Sequence, residues 1–339
     1  LKGADIPCRV IPANLGFGQH IGVDAYSLLT MARPSSLVGE WVFAQSAFGA
    51  EAKDLTPQIV YGLLPATKGP NGHQAELLSW DFSEEDPGST DCVLGRFLAR
   101  HGHAHARDFL VDIRRRATAY VVRLAQQIVE MQPRVVGCTS MFDQHTACLG
   151  LLRHIKEIAP EVTTVIGGAN CTEKVGHAAH HAFPWLDFTV TGEFDQQLVG
   201  FCQTLLSRNG VQSEWADLPS NVLGPHHRLP GQRTVLPRHE LLADMDEAAS
   251  PDFDDYFEAL YASPIHRYVQ PSLQLESSRG CWWGAKQHCT FCGLNAEGMA
   301  FRKKSPDRMI EEIRAITGRY DLYRWTATDN IIDMTSSRR

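Results

Sequence analysis

Three cysteines lie close together towards the end of the chain. Cys281, Cys289 and Cys292 fall within twelve residues, with seven residues between the first two and two between the last two, after a strand-like segment. Clustered thiolates select iron–sulfur clusters or zinc. A structural zinc site needs a fourth ligand, and His288 is poorly placed because it adjoins Cys289. Three thiolates suit a 4Fe-4S cluster with one open iron, so the spacing favours a cluster over zinc.

Composition and charge narrow the partners and the compartment. The other six of the nine cysteines are scattered singly, which predicts reduced thiols rather than a disulfide framework. A net charge of -7 without a basic run argues against nucleic acid as a partner. The sequence has no apolar stretch of about 18 residues and no signal-peptide pattern. We therefore expect a cytoplasmic protein with no membrane span.

The middle of the sequence alternates between amphipathic helices and short apolar strands. The predicted strands are 134–140, 162–166 and 187–191, and the predicted helices are 114–132, 147–158, 173–183 and 195–207. Apolar strands separated by helices indicate a parallel sheet with helices on both faces. The pattern therefore predicts an α/β fold with a doubly wound, Rossmann-like parallel sheet.

Small residues and glycines lie at or just after the carboxyl ends of three predicted strands. They are Thr139 and Ser140, then Gly167 and Gly168, then Gly192 with Glu193. Ligands of open parallel sheets bind beyond the carboxyl ends of the strands, and glycine lets a backbone approach a ligand closely. Ordinary strand-to-helix turns explain the same residues, so the pattern alone leaves both interpretations open.

A second unit follows a proline-rich stretch of little periodicity. It contains a strand at 272–277, the cysteine loop, a helix from Ser305 to Gly318, and a strand at 322–328 that leads into Asp329 and Asn330. Ser305 is a good N-cap residue, and the proline after it suits the first helical position. The cysteine loop is therefore expected to follow the first strand of a new strand–helix–strand unit.

Two short motifs carry a resemblance to a known family. Ser278–Cys281 and Thr290–Cys292 resemble the cluster loop of radical S-adenosylmethionine enzymes, in which an aromatic residue precedes the last cysteine. The usual spacing there is three residues and then two, so the longer first gap indicates a subgroup. Together with Gly39–Phe43, Gly167–Cys171, Gly192–Glu193 and Cys289–Asn295, the chain resembles cobalamin-binding radical enzymes that C-methylate ribosomally synthesised precursor peptides.

The resemblance implies a domain organisation. It places a cobalamin-binding sheet domain over 1–210, a linker over 211–271 and the start of a radical S-adenosylmethionine (β/α)6 partial barrel over 272–339. The last range holds only 68 residues, enough for about two strand–helix units at roughly 30 residues each. We therefore expect the barrel to be truncated and the chain to be a fragment of a longer enzyme.

The resemblance also implies roles for individual residues. Cys281, Cys289 and Cys292 would bind three irons of the 4Fe-4S cluster, and S-adenosyl-L-methionine would chelate the fourth. Phe291 would pack near the adenine, with Asp329 and Asn330 in reach of the cofactor. Cobalamin would lie against Thr139, Ser140, Gly167, Gly168, Gly192 and Glu193. Asp143–Cys148 superficially mimics a cobalt-ligating histidine motif, but Cys148 replaces its glycine, so no ligation by His145 is expected.

The activity implied by the resemblance is a radical methylation. Reduced flavodoxin or ferredoxin would supply an electron, a 5′-deoxyadenosyl radical would take hydrogen from a carbon of the precursor peptide, and methylcobalamin would supply the methyl group. Two other functions stay open. One keeps the cluster and corrinoid but performs cyclase-type chemistry, as in tetrapyrrole or lipid synthesis; the other is a non-catalytic metal- or corrinoid-binding module.

Three histidines share one predicted helix. His177, His180 and His181 have no cysteine or carboxylate near them in sequence that would complete a metal site. The sequence therefore predicts solvated histidines there.

Overall fold

A long helical segment precedes the sheet. The computed structural model describes residues 1–30, 32, 37–49, 52, 100, 102, 106–207, 218–228, 241–293 and 299–332. The helices of this segment are α1 (Ala13–Ile21), α2 (Val23–Thr30), α3 (Val38–Phe48) and α4 (Ala106–Glu130). The helix predicted at 114–132 is confirmed, and α4 begins eight residues earlier because Phe109, Leu110 and Ile113 extend its buried face.

The α/β alternation predicted for the middle of the chain is confirmed. The elements are β1 (Val135–Thr139), α5 (His145–Ile158), β2 (Thr163–Gly167), α6 (Glu173–Ala182), β3 (Phe188–Val190), α7 (Leu198–Ser207) and β4 (Val222–Leu223). Strands β1, β2 and β3 are parallel neighbours in chain order, whereas β4 pairs antiparallel with β3. The sheet of the described residues is therefore mixed, and a doubly wound strand order stays a prediction.

The core lies between the sheet and the helices around it. Leu149, Leu152 and Ile155 recur at helical spacing on α5 and are fully buried. They belong to one apolar cluster with Ile166 of β2 and with residues of α3 and α4. The N-terminal helices therefore share the core of the sheet, which fixes α3 beside the carboxyl end of β1.

The second unit begins inside the predicted linker. Its elements are α8 (Asp254–Ala262), β5 (Leu273–Leu275), β6 (Ser278–Arg279), β7 (Arg302–Lys303), α9 (Pro306–Tyr320) and β8 (Trp325–Ala327). Strands β5 and β8 are parallel, and β6 and β7 form a separate antiparallel ribbon. The predicted strand–helix–strand order is confirmed, while the division into domains and the completion of a barrel stay predictions.

Helix α8 and strand β4 give ordered structure to the stretch predicted as a linker. Phe257 and Leu260 of α8 pack in a cluster with Leu15 of α1, Leu273 of β5 and Ile316 of α9. The sequence analysis did not predict this helix because prolines lie on both sides of it and because it is only nine residues long. The stretch therefore packs against both units.

The ends of α9 follow from local backbone chemistry. The side chain of Ser305 accepts a hydrogen bond from the backbone N–H of Arg308 at 3.2 Å, which confirms the predicted N-cap. The helix continues past Gly318 to Tyr320, where Asp321 takes a left-handed conformation with a φ of 48°. Glycine in the last turn therefore does not end this helix, and the predicted end was two residues short.

His180 is buried, so the prediction of a solvated side chain there is wrong. Its Nε2–H donates to the carbonyl of Gly224 at 3.0 Å, and its Nδ1 lies 3.2 Å from the hydroxyl of Thr189. Burial and the neighbouring Arg228 guanidinium lower the pKa of His180 to about 3. The ring is therefore neutral at physiological pH, with both nitrogens engaged by polar partners.

We expect His180 to make the protein sensitive to acid. Between about pH 6.5 and about pH 3 the unfolded ring binds a proton that the folded ring does not, so stability falls as the pH falls through this interval. His180→Gln should remove this pH-dependent loss, which is on the order of 4 kcal/mol across the interval, as measured by the free energy of urea unfolding at successive pH values. A variant profile with the wild-type slope would contradict this assignment.

Candidate cofactor site at the sheet edge and the cysteine loop

The carboxyl ends of β1 and β2 meet as the sequence predicts. Thr139 pairs with Gly167 in the parallel register, and the backbone N–H of Ser140 donates to the carbonyl of Gly167 at 2.7 Å. Gly168 has a φ of +98°, and a Cβ atom there would lie 2.6 Å from the carbonyl oxygen of Ser140. Glycine is therefore required at 168 by the approach of two backbone segments of the chain itself.

A small polar network holds this edge together. The side-chain amide of Asn170 donates to Ser140 Oγ at 3.1 Å and to the carbonyl of Phe142 at 2.7 Å. Ser140 Oγ also lies 3.0 Å from His145 Nδ1. Burial lowers the pKa of His145, and the charge of Glu40 opposes this only in part. A neutral imidazole therefore lies behind the edge, in contact with a fully buried serine.

Two apolar side chains are exposed at the same edge. Phe142 follows β1 with a left-handed φ of 47°, and its side chain is 83% exposed. Met141 beside it is also exposed. A non-glycine residue rarely adopts this backbone conformation unless its surroundings stabilise it. Here the side-chain amide of Asn170 donates a hydrogen bond to the Phe142 carbonyl. The exposed aromatic ring that this backbone carries can pack against one face of a flat apolar ligand.

Glu40 caps the helix that follows β1. Its carboxylate accepts hydrogen bonds from the backbone N–H groups of His145 at 2.8 Å and Thr146 at 2.7 Å. These are among the donors that the first turn of a helix leaves unpaired. A Cβ atom at Gly39 would lie 2.7 Å from the Cβ of Asp143, so glycine allows α3 to approach this turn. The Gly39–Phe43 motif therefore has a structural role within the described residues.

We expect Glu40→Ala to destabilise the protein by about 1–2 kcal/mol, because α5 loses its cap and a carboxylate at the positive end of its dipole. Glu40→Gln, which keeps one acceptor oxygen, should cause a smaller loss. Urea unfolding of both variants measures the difference. Equal stability of Glu40→Ala and the wild type would show that the two hydrogen bonds do not hold α5.

The cysteine loop starts and ends at the β6–β7 ribbon. The backbone N–H of Cys281 donates to the carbonyl of Met299 at 3.3 Å, which continues the ribbon into the base of the loop. Gly280 has a φ of +82°, and a Cβ atom there would lie 2.3 Å from the carbonyl oxygen of Ala300. The Arg-Gly-Cys sequence therefore brings the first cysteine against the returning strand, where only glycine fits before it.

The three thiols are near one another in sequence, but the structure does not gather them around one point. Cys281, Cys289 and Cys292 are each half-buried, and Cys281 Sγ accepts a hydrogen bond from the N–H of Gly284 at 3.2 Å. Across the described ranges, no three Cys, His, Asp or Glu side chains converge as metal ligands. The donor set of three thiols on one loop fits an iron–sulfur cluster by its chemistry, so the ligand assignment stays a prediction.

Phe291 lies on the surface of this loop. Its side chain is 91% exposed, between the second and third cysteines. Packing against a bound adenine would bury this ring, and that role stays a prediction. Leu294 and Asn295, the last two residues of the motif, lie outside the described residues.

Asp329 ties the end of β8 to the start of β6. Its Oδ1 accepts hydrogen bonds from the backbone N–H and the hydroxyl of both Ser277 and Ser278. Asn330 after it is exposed. The carboxylate therefore joins two strand ends beneath the cysteine loop. The predicted contact of Asp329 and Asn330 with a cofactor stays a prediction.

Glu193 connects the sheet edge to the cysteine loop. Gly192, with a φ of +73°, turns the chain after β3, and the Glu193 carboxylate then contacts Arg302 of β7 and Arg279 of β6. Burial raises the pKa of Glu193, but hydrogen bonds from Arg302, the Leu242 N–H and Arg279 outweigh it and lower the pKa to about 2. The structure places the Glu193 carboxylate in ion pairs with both arginines, and its predicted contact with cobalamin stays a prediction.

Sequence reasoning missed both arginines as members of the site. They are separated from Glu193 by 86 and 109 residues, so no local pattern pairs them. One signal was present, since Arg279 lies inside the motif that leads to the first cysteine.

Along the part of the chain that the structure describes, no helix has the length and apolarity needed to cross a bilayer.

Comparisons with known proteins give distant relatives of one kind. The chain is 23% identical over 203 residues to the anaerobic magnesium-protoporphyrin IX monomethyl ester cyclase of Rubrivivax gelatinosus, which covers 59% of this chain and 34% of that protein. The protein of the same name from Cereibacter sphaeroides is 23% identical over 201 residues, 58% of this chain and 30% of that protein. The chain therefore spans about a third of the length of these relatives. No protein-family model matches it.

Proposed function

We propose that this chain is the cofactor-binding part of a cobalamin-dependent radical S-adenosylmethionine enzyme that performs cyclase-type chemistry. The observation that carries the proposal is the three-thiol loop, which starts and ends at a short ribbon after β5. The similarity to two proteins named as cyclases supports the same reaction type. The motif resemblance supports the cofactors independently, because it rests on the cysteine loop and the glycine turns.

Cys281, Cys289 and Cys292 would hold the cluster, and the sheet edge at the carboxyl ends of β1 and β2 would face the corrinoid. When bound, the cluster supplies the electron that cleaves the sulfonium of S-adenosylmethionine. The chain's own residues orient and enclose the site. Trp282 donates its indole N–H to the carbonyl of Ile332 at 3.3 Å, which ties the loop to the segment after β8.

The cyclase names of the relatives favour ring closure over methyl transfer. A cyclic tetrapyrrole ester is therefore the first substrate to test, and reduced flavodoxin or ferredoxin is the proposed electron donor. The exposed Phe142 ring at the sheet edge suits a flat macrocycle, whether corrinoid or substrate. C-methylation of a precursor peptide stays a prediction that rests on the motif resemblance alone.

Anoxic reconstitution with iron and sulfide tests the proposal. We expect about four irons and four sulfides per chain, thiolate-to-iron absorbance, and an electron paramagnetic resonance signal after reduction that changes when S-adenosylmethionine is added. Titration with hydroxocobalamin, followed by its visible spectrum, tests the corrinoid site separately. Stoichiometric zinc with no bound cluster would instead support the non-catalytic metal-binding function.

A further inference from the structure

The ribbon that closes the cysteine loop is too short to be stable on its own. It has only two residue pairs, Ser278 with Lys303 and Arg279 with Arg302. A two-stranded ribbon is marginal in water even when it is much longer. The second pair also sets two guanidinium groups directly across from each other, and like charges at such positions repel. Some other part of the chain must therefore keep the loop closed.

The carboxylate of Glu193 lies between the two guanidinium groups. Its Oε1 accepts from Arg302 Nη2 at 2.7 Å, and its Oε2 accepts from Arg302 Nη1 at 2.9 Å and from Arg279 Nη1 at 3.0 Å. The backbone N–H of Leu242 donates to the same Oε2 at 3.0 Å. The Glu193 carboxylate therefore bridges two guanidinium groups that would otherwise repel each other across the ribbon.

Both arginines are oriented by further partners. Arg302 Nη1 donates to the carbonyl of Leu242 at 2.7 Å. Arg279 makes a bidentate pair with Asp195 at 2.8 and 3.1 Å and a second pair with Glu276. The side chains of Glu193, Arg279 and Arg302 are each at most 20% exposed, so solvent screens their charges less than at an open surface. Glu193, Arg279 and Arg302 therefore form a fixed arrangement, which we call the clamp, rather than a mobile surface ion pair.

We propose that Glu193 is a positioning residue for the cysteine loop, acting through Arg279 and Arg302. Arg279 lies two residues before Cys281, and Arg302 lies where the loop returns, so the clamp fixes both ends of the segment that carries the three thiols. Because Glu193 directly follows the turn after β3, the clamp also holds the loop next to the sheet edge. As a statement about cluster binding, the inference rests on the proposed function.

Hydrogen–deuterium exchange of the full chain tests the inference without any cofactor. In Glu193→Gln we expect amide exchange of the loop, residues 280–293, to become about tenfold faster, with little change in the exchange of β1 and β2. Alkylation of Cys281, Cys289 and Cys292, followed by mass spectrometry, should accelerate in the same variant. After anoxic reconstitution, the variant should retain less than about half of the wild-type iron, with an altered resonance signal.

A matched variant serves as the control. Glu157→Gln breaks an ion pair with Arg153 on α5, away from the cysteine loop. It should leave loop exchange within about twofold of the wild type. Loop exchange in Glu193→Gln that matches this control overturns the inference.

The outcomes separate the inference from the proposed function. A wild-type chain that takes up no cluster, combined with faster loop exchange in Glu193→Gln, supports the clamp and refutes the cluster. Normal cluster uptake by both chains, with equal loop exchange, refutes the clamp and leaves the function standing.

If Glu193→Gln does not fold, Arg302→Lys is the second variant, since lysine cannot bridge both carboxylate oxygens and the Leu242 carbonyl. Unchanged loop exchange in that variant also overturns the inference.

Discussion

Replacing any one of Cys281, Cys289 and Cys292 by alanine is expected to abolish binding of the proposed iron–sulfur cluster. Each thiolate would hold one iron, and no other side chain on the loop offers an equivalent donor, since His288 adjoins Cys289. We expect iron content after anoxic reconstitution to fall from about four per chain to below about one, with loss of the visible thiolate-to-iron absorbance. Reductive cleavage of S-adenosylmethionine should fall below detection in each variant.

Cys8→Ala is the matched control for this series. Cys8 is exposed and lies far from the loop in sequence, so its removal should leave iron content and absorbance unchanged. Circular dichroism of each variant before reconstitution verifies that the chain still folds. Full iron content in any of the three loop variants would show that the lost thiol is not a ligand. Equal loss in Cys8→Ala would show that the iron is bound nonspecifically.

Glu312→Ala is expected to cause the largest loss of stability in the second unit, about 3–5 kcal/mol. Lys304 Nζ lies 2.8 and 3.0 Å from the two Glu312 oxygens, and Arg308 Nη2 lies 3.0 Å from one of them. The side chains of Lys304 and Glu312 are 2% and 0% exposed. Removal of the carboxylate leaves a buried ammonium group without its partner, which is far less favourable than breaking a surface pair.

Urea unfolding measures this loss, and two further variants calibrate it. Glu157→Ala breaks a pair whose side chains are 32% and 49% exposed, and its effect should stay below about 1 kcal/mol. The double variant Lys304→Met with Glu312→Leu removes both buried charges and should recover most of the stability. A loss in Glu312→Ala no greater than in Glu157→Ala would contradict the assignment.

Periodic elements were predictable from the sequence. The helices and strands between Ala106 and Ser207 follow from apolar spacing, because packing against one core selects period 3.6 or a continuous apolar run. Ser305 was found as a cap because its chemistry is local to its own helix. The carboxyl ends of β1 and β2 were placed together because parallel strands bring those ends to one edge.

Long-range polar contacts were not predictable. Glu40 caps a helix 105 residues away, and Glu193 bridges two arginines that a single sequence does not connect to it. His180 was expected in solvent because no cysteine or carboxylate near it in sequence would complete a metal site, yet Thr189 and Gly224 from other elements contact its ring. Such contacts depend on tertiary geometry, so periodicity and spacing carry no signal for them.

The clamp has a consequence for protein engineering. A chimera that joins this cysteine loop to an unrelated α/β domain would separate the guanidinium groups of Arg279 and Arg302 from the carboxylate that bridges them. Such a graft would place two neighbouring positive charges at the junction without the carboxylate that they share. Recombination between homologous genes should therefore preserve the glutamate and both arginines as one inherited set, with crossover points outside residues 193–302.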